Sequence, residues 1–366
     1  MKLSLRYGIL ALLMINIIPL SAQTTQGITT GVPFLRIAPD ARAGSMGNLG
    51  VVTSADAYAP FYNNSKTIFS QGKGEIGATY TPWLRKMTND IFLASLSGYY
   101  KLDDEQALTG AVRFFNMGSM TVTDYNGIKQ SSYRPIEYSI DFGYARRLSK
   151  QLAAGASFRY IYSKISIGAN NGVSYSAGNA FAADLSLTYN ALKETGEGWV
   201  TGAAVTNLGS KIGYTNNNDN YFLPANIAIG TAYTGVIDEE NKITVGVEIN
   251  KSLVPKTPVD ATAGNMDDYY NKTSVFSSWG KSFSNNALAS SIGAEYCYNS
   301  LLFVRAGYNA ETTGMGGRNY FTAGTGINYE SVKFDFAYLA AGSTNPLANT
   351  MRFSIAWQPD CNKKKK

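Results

Sequence analysis

The sequence predicts an all-β fold, a transmembrane antiparallel β-barrel of about fourteen strands with an N-terminal plug lodged in its lumen. Three observations carry that expectation. From about Gly72 to Gln358 the chain falls into short segments with one aromatic or aliphatic face and one polar, often charged face. No segment after the first 22 residues approaches the roughly 20 consecutive apolar residues of a membrane helix, yet 25 Tyr and 17 Phe stand against only 16% charged residues. The stretch from Gly31 to Phe69 holds neither strand alternation nor a helical stripe, which suits a segment enclosed by something else.

Taken in order, the chain opens MKLSLRYGILALLMINIIPLSAQ. Lys2 and Arg6, an apolar run from Ile9 to Leu20, and the small residues Ser21 and Ala22 have the layout of a secretory signal, too short for a comfortable span. Residues 1–22 are therefore read as a signal peptide, 23–71 as the plug segment, 72–358 as the barrel and 359–366 as a basic tail. Within the plug segment Ala41, Ala43, Gly44, Ser45, Gly47 and Gly50 allow tight packing, while Arg36, Asp40, Arg42 and Asp56 need polar partners in a confined space.

The barrel strands follow from period-two alternation. In Pro135–Arg146, Ile136, Tyr138, Ile140, Phe142 and Tyr144 fall on one side, and Glu137, Ser139, Asp141 and Gly143 on the other. The same sorting sets Leu108, Val112 and Phe114 against Arg113, Phe158 and Tyr160 against Arg159, Leu185 and Leu187 against Asp184, and Val245, Val247 and Ile249 against Glu248. Later strands oppose Tyr296 to Glu295, Val304 to Arg305, Phe334 and Phe336 to Asp335, and Phe353 and Ile355 to Arg352. Segments around Ile91, Trp199, Ile227 and Phe321 alternate less cleanly and are assigned partly by spacing. An open sheet is excluded, because its edge groups would go unsatisfied in lipid. Links alternate long and short, the pattern of extracellular loops and periplasmic turns, so both termini are expected in the periplasm and the chain in the outer membrane.

Composition excludes several function classes. The formal charge of +6 is not an anion-binding surface, since Lys2, Arg6 and Lys363–Lys366 account for all of it, and no nucleic-acid partner is expected. Histidine is absent, which removes most catalytic triads and transition-metal sites. Cys297 and Cys361 are too few for a disulfide scaffold, and a bridge between them stays open. Gly314-Met315-Gly316-Gly317 does not follow a strand into a helix, so a dinucleotide reading fails. Asn216–Asn220 offers oxygen ligands but lacks the spacing of a calcium loop. No cofactor, no metal and no catalytic residue is expected, and the chain reads as a non-enzyme.

With these pieces in place the sequence resembles the PorV family of Bacteroidetes outer-membrane proteins, related to the long-chain fatty-acid transporter FadL. The resemblance rests on APDARAGSMGNLGVVTSADAYAPFYNNSKTIF (Ala38–Phe69), IGAEYCYNSLLFVRAGY (Ile292–Tyr308), YFTAGTGINY (Tyr320–Tyr329) and NPLANTMRFSIAW (Asn345–Trp357). In the first, Asn63-Asn64-Ser65 stands where FadL-like barrels usually carry Asn-Pro after the tyrosine. The resemblance implies a FadL-like barrel serving the type IX secretion system. Such a protein accepts cargo from the SprA (Sov) translocon barrel by binding the cargo's C-terminal domain, and presents it to the PorU sortase. The other reading is a FadL-like transporter of hydrophobic small molecules.

Candidate contact residues lie in the long links. In Ser252–Asn286, Val275, Phe276, Trp279 and Phe283 recur at helical spacing behind the pair Tyr269 and Tyr270, and would form a partner surface or a helix packed on the rim or at the lipid interface. Trp83 and Tyr125 are weaker candidates of the same kind, since an aromatic belt would also place them there. Lumenal Arg113, Arg159, Asp184 and Glu248 would line a path or, more economically, bind the plug.

Overall fold

The computed structural model describes residues 27–84, 88–123, 126–165, 168–170, 173–215, 220–256, 269–342, 345 and 347–359. Fourteen strands close into one antiparallel barrel in chain order: β1 (Gly74–Pro82), β2 (Ile91–Lys101), β3 (Gln106–Met117), β4 (Ile136–Arg147), β5 (Leu152–Lys164), β6 (Gly178–Leu192) and β7 (Gly198–Gly209) form the first half. The second half is β8 (Asn226–Val236), β9 (Asn241–Ser252), β10 (Leu288–Tyr298), β11 (Leu302–Glu311), β12 (Asn319–Tyr329), β13 (Val332–Ala341) and β14 (Thr350–Trp357). The ring is sealed by β14 on β1, in a register running from Ile76 opposite Trp357 to Tyr80 opposite Phe353. Closure leaves no sheet edge to satisfy, which is what makes strands tolerable in hydrocarbon. The four segments with weaker alternation are regular strands, β2, β7, β8 and β12, held by ladders on both sides.

Side chains sort by face along every strand. Ile140, Phe142, Phe158, Leu185, Val247, Ile292, Val304 and Phe334 are exposed on the outer wall, although each is large and apolar. Inward-facing Glu75, Arg113, Asp141, Arg159, Asp184, Glu248, Glu295, Arg305, Asp335 and Arg352 are all buried. A soluble sheet would show the reverse, so the wall faces lipid. Aromatic side chains concentrate at the strand ends. Tyr100, Tyr189, Trp199, Tyr298, Tyr329 and Trp357 stand toward the short turns, and Tyr80, Phe181, Phe321 and Tyr338 toward the long loops, all of them exposed. These are the two girdles of a membrane barrel.

Links confirm the alternation. Residues 102–105, 148–151, 193–197, 237–240, 299–301 and 330–331 join strands at one end, while the other carries 83–90, 118–135, 165–177, 210–225 and 253–287. Three small ribbons, Met120–Thr123 with Lys129–Tyr133, Gly168–Asn170 with Val173–Tyr175, and Ile212–Gly213 with Asn220–Tyr221, rise within the long links.

Residues 27–73 run inside the barrel from the loop end to the turn end. The Ile28 amide donates to Gly314 O (3.0 Å) and that of Gly31 to Phe222 O (3.0 Å), both at the loop end. The chain then passes a 3-10 turn at Pro33–Arg36, a short helix α1 (Ala41–Ser45), and 3-10 turns at Ala59–Phe61 and Asn64–Phe69 before entering β1 from the turn end. Asp40 starts α1 by accepting from the Ala43 amide at 2.8 Å, and Asn63 starts the last turn by accepting from the Ser65 amide at 3.1 Å. The two ends of the described chain therefore lie at opposite ends of the barrel. They do so because the inner segment traverses the lumen before the first strand. Residues 1–26 and 360–366, which hold the signal peptide and the lysine tail of the sequence analysis, lie outside the described residues.

Packing between inner segment and wall leaves no room for a side chain at several points. At Gly47 the backbone takes φ +71°, and a Cβ would stand 2.6 Å from Tyr308 O; at Gly293 on β10 a Cβ would stand 2.5 Å from Met46 O. Gly47→Val combines a disfavoured backbone with a backbone clash and is expected to destabilise the folded barrel by about 1–3 kcal/mol. The check is the urea midpoint for loss of the heat-modifiable band on a gel, which should fall relative to a Gly235→Ala control.

Candidate functional site

Charged residues in the lumen are organised as a chain that joins the inner segment to the wall. Arg42 Nη1 donates to Asp56 Oδ2 at 2.9 Å, while its Nε and Nη2 donate to Glu295 Oε2 and Oε1 on β10 at 3.0 Å each. Glu295 also accepts from Arg305 Nε on β11 at 2.6 Å, and Arg305 Nη1 reaches Asp335 Oδ1 on β13 at 2.6 Å. Five alternating charges are thus buried together, each with an opposite neighbour, which is the condition for ionised groups to persist away from bulk water. Asp40, also in the inner segment, accepts from the Tyr62 hydroxyl at Oδ1 (2.6 Å).

Several other buried charges hold backbone. Arg113 donates to Leu35 O (2.9 Å) and Phe61 O (3.3 Å), with its guanidinium over the Phe61 ring at 4.6 Å. Glu248 accepts from the Gly50 and Val51 amides at 3.1 and 2.9 Å. Lys66 Nζ donates to Gly50 O at 2.7 Å and Thr53 Oγ1 at 2.8 Å. Arg36 donates to Met315 O at 2.9 Å and lies 3.6 Å from Glu311. Arg159 stays on the wall, bonded to Asp141, Asn207 and, at 2.8 Å, Asp184. A register shift in the β6–β7 ladder and a left-handed Asn207 (φ 58°) bring that asparagine into the cluster. Between Arg36, Arg113, Glu248 and Asn309 on one hand and Leu35, Val51 and Met315 on the other, a cavity of about 140 Å³ with mixed lining remains, enough for a few waters.

At the loop end the long links form a second layer. Phe222, Val254 and Tyr270 are buried together, with Ile28, Tyr269 and Val275 packed against them. Lys211 Nζ donates to Tyr270 O at 2.5 Å, and burial pushes its ammonium below the ordinary lysine range. Asp90 ties two links by accepting from the Ser119 amide at 2.7 Å; the Thr88 hydroxyl and that amide hold its carboxyl below the usual range.

On this layer sits helix α2 (Val275–Lys281), started by Ser274, whose hydroxyl accepts from the Ser277 amide at 3.2 Å. Ser278 and Ser282 are buried beneath it and Val275 is half-buried, whereas Phe276 is 77% and Phe283 68% exposed. Trp279, half-buried, meets Phe276 edge to face at 5.1 Å. The helix is therefore inverted relative to a soluble amphipathic one, with serines inward and aromatics outward.

The candidate contact residues separate accordingly. Phe276 and Trp279 form an outward ridge. Tyr269 is half-buried under Lys281, whose Nζ lies 5.5 Å from its ring centre. Tyr270 is buried at 1% exposure and serves the loop core, which corrects its reading as a contact. Trp83 is corrected likewise: it is buried against Tyr320, Leu339 and Leu347, edge to face with Phe115 at 6.4 Å. Tyr125, and Asp267 and Asp268 beside Tyr269, lie outside the described residues. Sequence reasoning missed Glu295, Arg305 and Asp335 as the wall side of the ion chain, although alternation placed all three on the inner face.

Fold and faces define a class: this is an outer-membrane β-barrel of FadL-like architecture. The Pseudomonas putida toluene transporter TodX matches with a TM-score of 0.51 at 16% identity over 91% of this chain and 98% of its own. The Ralstonia pickettii toluene transporter TbuX matches with a TM-score of 0.51 at 13% identity over 87% and 96%, and a Pseudomonas aeruginosa FadL homologue with 0.50 at 10% identity over 92% and 100%. At these identities the likeness concerns the fold. No curated protein matches the sequence. The family model "Type IX secretion system protein PorV" matches residues 20–260, and the chain belongs to that family.

Arg42 is the junction of the ion chain. Arg42→Met would take from Asp56 and from one side of Glu295 the guanidinium that hydrogen-bonds both, leaving Asp56 with the more distant Lys66 and Glu295 with Arg305, at a cost of about 3–5 kcal/mol. The urea midpoint should drop accordingly, and Arg42→Lys should restore only part of it, since an ammonium cannot reproduce the bidentate fork. An unchanged midpoint in Arg42→Met would show that the bridge contributes nothing.

Proposed function

We propose that this chain is a non-enzymatic cargo receptor and shuttle of the type IX secretion system. Its loop end, facing the outside, binds the C-terminal domains of secreted proteins released by the SprA (Sov) barrel and delivers them to the PorU sortase, while its turn end faces the periplasm. The observation that carries this is the outward aromatic set of Phe276 and the half-buried Trp279 on α2, with exposed Phe283 in the 3-10 turn that follows, above a packed loop layer. An exposed aromatic surface mounted on a rigid base is the kind of surface that anchors a protein partner. Family membership supplies the secretion setting.

The inner segment acts as a plug in this reading. Arg42, Arg113 and Glu248 fix it to the wall, so the lumen stays shut while cargo is handled outside. The cavity beside it, about 140 Å³, is too small for a hydrocarbon route along the barrel axis.

Replacing Phe276, Trp279 and Phe283 together by serine in the native cell should leave the heat-modifiable barrel at wild-type level. Surface display of a tagged cargo should fall by roughly tenfold or more, as for loss of a hot-spot cluster. Whole-cell protease accessibility and flow cytometry read this directly. Undiminished display with a folded barrel would remove the ridge from cargo handling.

A further inference from the structure

A second cavity lies at the loop end, away from α2 and from the ion chain. It has a volume of about 480 Å³ and is bounded by the inner segment at Thr30–Pro33 and by Met117, Ile165, Tyr175, Tyr214 and Tyr221, with Glu137 of β4 in its wall. Glu137 is only 1% exposed. Its Oε1 accepts from Ser163 Oγ at 2.7 Å, and Ser163 in turn accepts from the Tyr214 hydroxyl at 2.9 Å, so one oxygen is fixed in direction. The other, Oε2, is buried without a hydrogen-bond partner among the described residues, so a ligand in the cavity would pair with it by a turn of the Glu137 side chain. Nor does Glu137 form an ion pair there, in contrast to Glu75, Glu295, Glu311, Asp141, Asp184 and Asp335, each of which has one.

A buried carboxylate oxygen without donor or cation is unfavourable, and whatever supplies one gains the energy that the empty site forgoes. The surroundings specify which kind of group that is. Three tyrosine rings and the aliphatic side chains of Val32, Met117 and Ile165 offer π faces and apolar surface, which favour a cation on a methylene stem. An anion would meet the carboxylate directly, and a neutral chain would leave Oε2 unsatisfied.

We propose that this pocket binds a primary alkylammonium group on a short aliphatic stem, with Glu137 as counter-ion and the tyrosines around the stem. Such a group is borne by a free amine or by a lysine side chain of an incoming polypeptide. The site is independent of the cargo reading, since it is defined by chemistry inside the loop layer and not by the α2 ridge.

The test is calorimetric titration of the full purified protein in detergent with n-pentylammonium chloride, n-pentanol and sodium pentanoate. Saturable binding of the ammonium, with pentanol and pentanoate weaker by roughly tenfold or more, is expected. Glu137→Gln, which keeps the shape and removes the charge, should weaken ammonium binding by roughly the same factor. Equal binding of pentanol and pentylammonium to the unmodified protein, or no binding of either, overturns the proposal whether or not the variant folds. A folded Glu137→Gln protein that binds the ammonium unchanged overturns it too. An acetylated Gly-Lys-Gly amide that binds more tightly than pentylammonium assigns the site to a polypeptide lysine; weaker binding assigns it to a free amine.

Discussion

Everything in this molecule depends on the requirement that no backbone group be left unpaired in hydrocarbon. Sealing β14 against β1 satisfies the last two edges, and closure then imposes the rest. A closed wall has an outside that must be apolar and an inside that need not be, so successive residues face two solvents. Charges of both signs gather inside because they have nowhere else to go on a strand. Once buried there they must find partners, and the inner segment provides them: Arg42 for Glu295, the Gly50 and Val51 amides for Glu248, the Leu35 and Phe61 carbonyls for Arg113. Wall and inner segment therefore stabilise one another, and neither set of polar groups is satisfied without the other.

The loop end obeys a different logic. It is built as a small soluble core, with Phe222, Val254 and Tyr270 at its centre and Lys211 tying links together. On that base aromatic side chains can be turned outward without collapsing inward, as on α2, where Ser278, and Ser282 just past its end, take the buried positions that leucines would take in a soluble helix. Rigid support beneath an exposed aromatic ridge limits the entropy lost on binding, which is the advantage of a preorganised surface. Placing Ile28 in the same core means that the start of the inner segment is part of the loop layer, so lumen and loop end are mechanically one piece.

Architecture shared with toluene transporters at 13–16% identity shows how far a barrel tolerates change of sequence while keeping its faces. In this chain the lumen is crossed by ion pairs between inner segment and wall. Function in such folds belongs to the groups placed on the scaffold, and here those groups are the filled lumen and the dressed loop end.

The sequence by itself determined the barrel, its strand number and its faces, because a period of two is local and every strand repeats the same choice between lipid and lumen. It also marked Arg36, Asp40, Arg42 and Asp56 as polar residues needing partners, and put Arg113, Glu137, Glu248 and Glu295 on the inner face. Only the tertiary structure decided what those partners are. Arg42 and Glu295 lie 253 residues apart, and no local pattern joins them. The same limit separates Phe276 from Trp83 and Tyr270: all three are aromatic residues in long links, and exposure depends on which neighbours fold over them. The run of residues 27–73 through the whole lumen, which parts the two ends of the described chain, is likewise invisible to periodicity, since it rests on contacts with distant loops at one end and the first strand at the other.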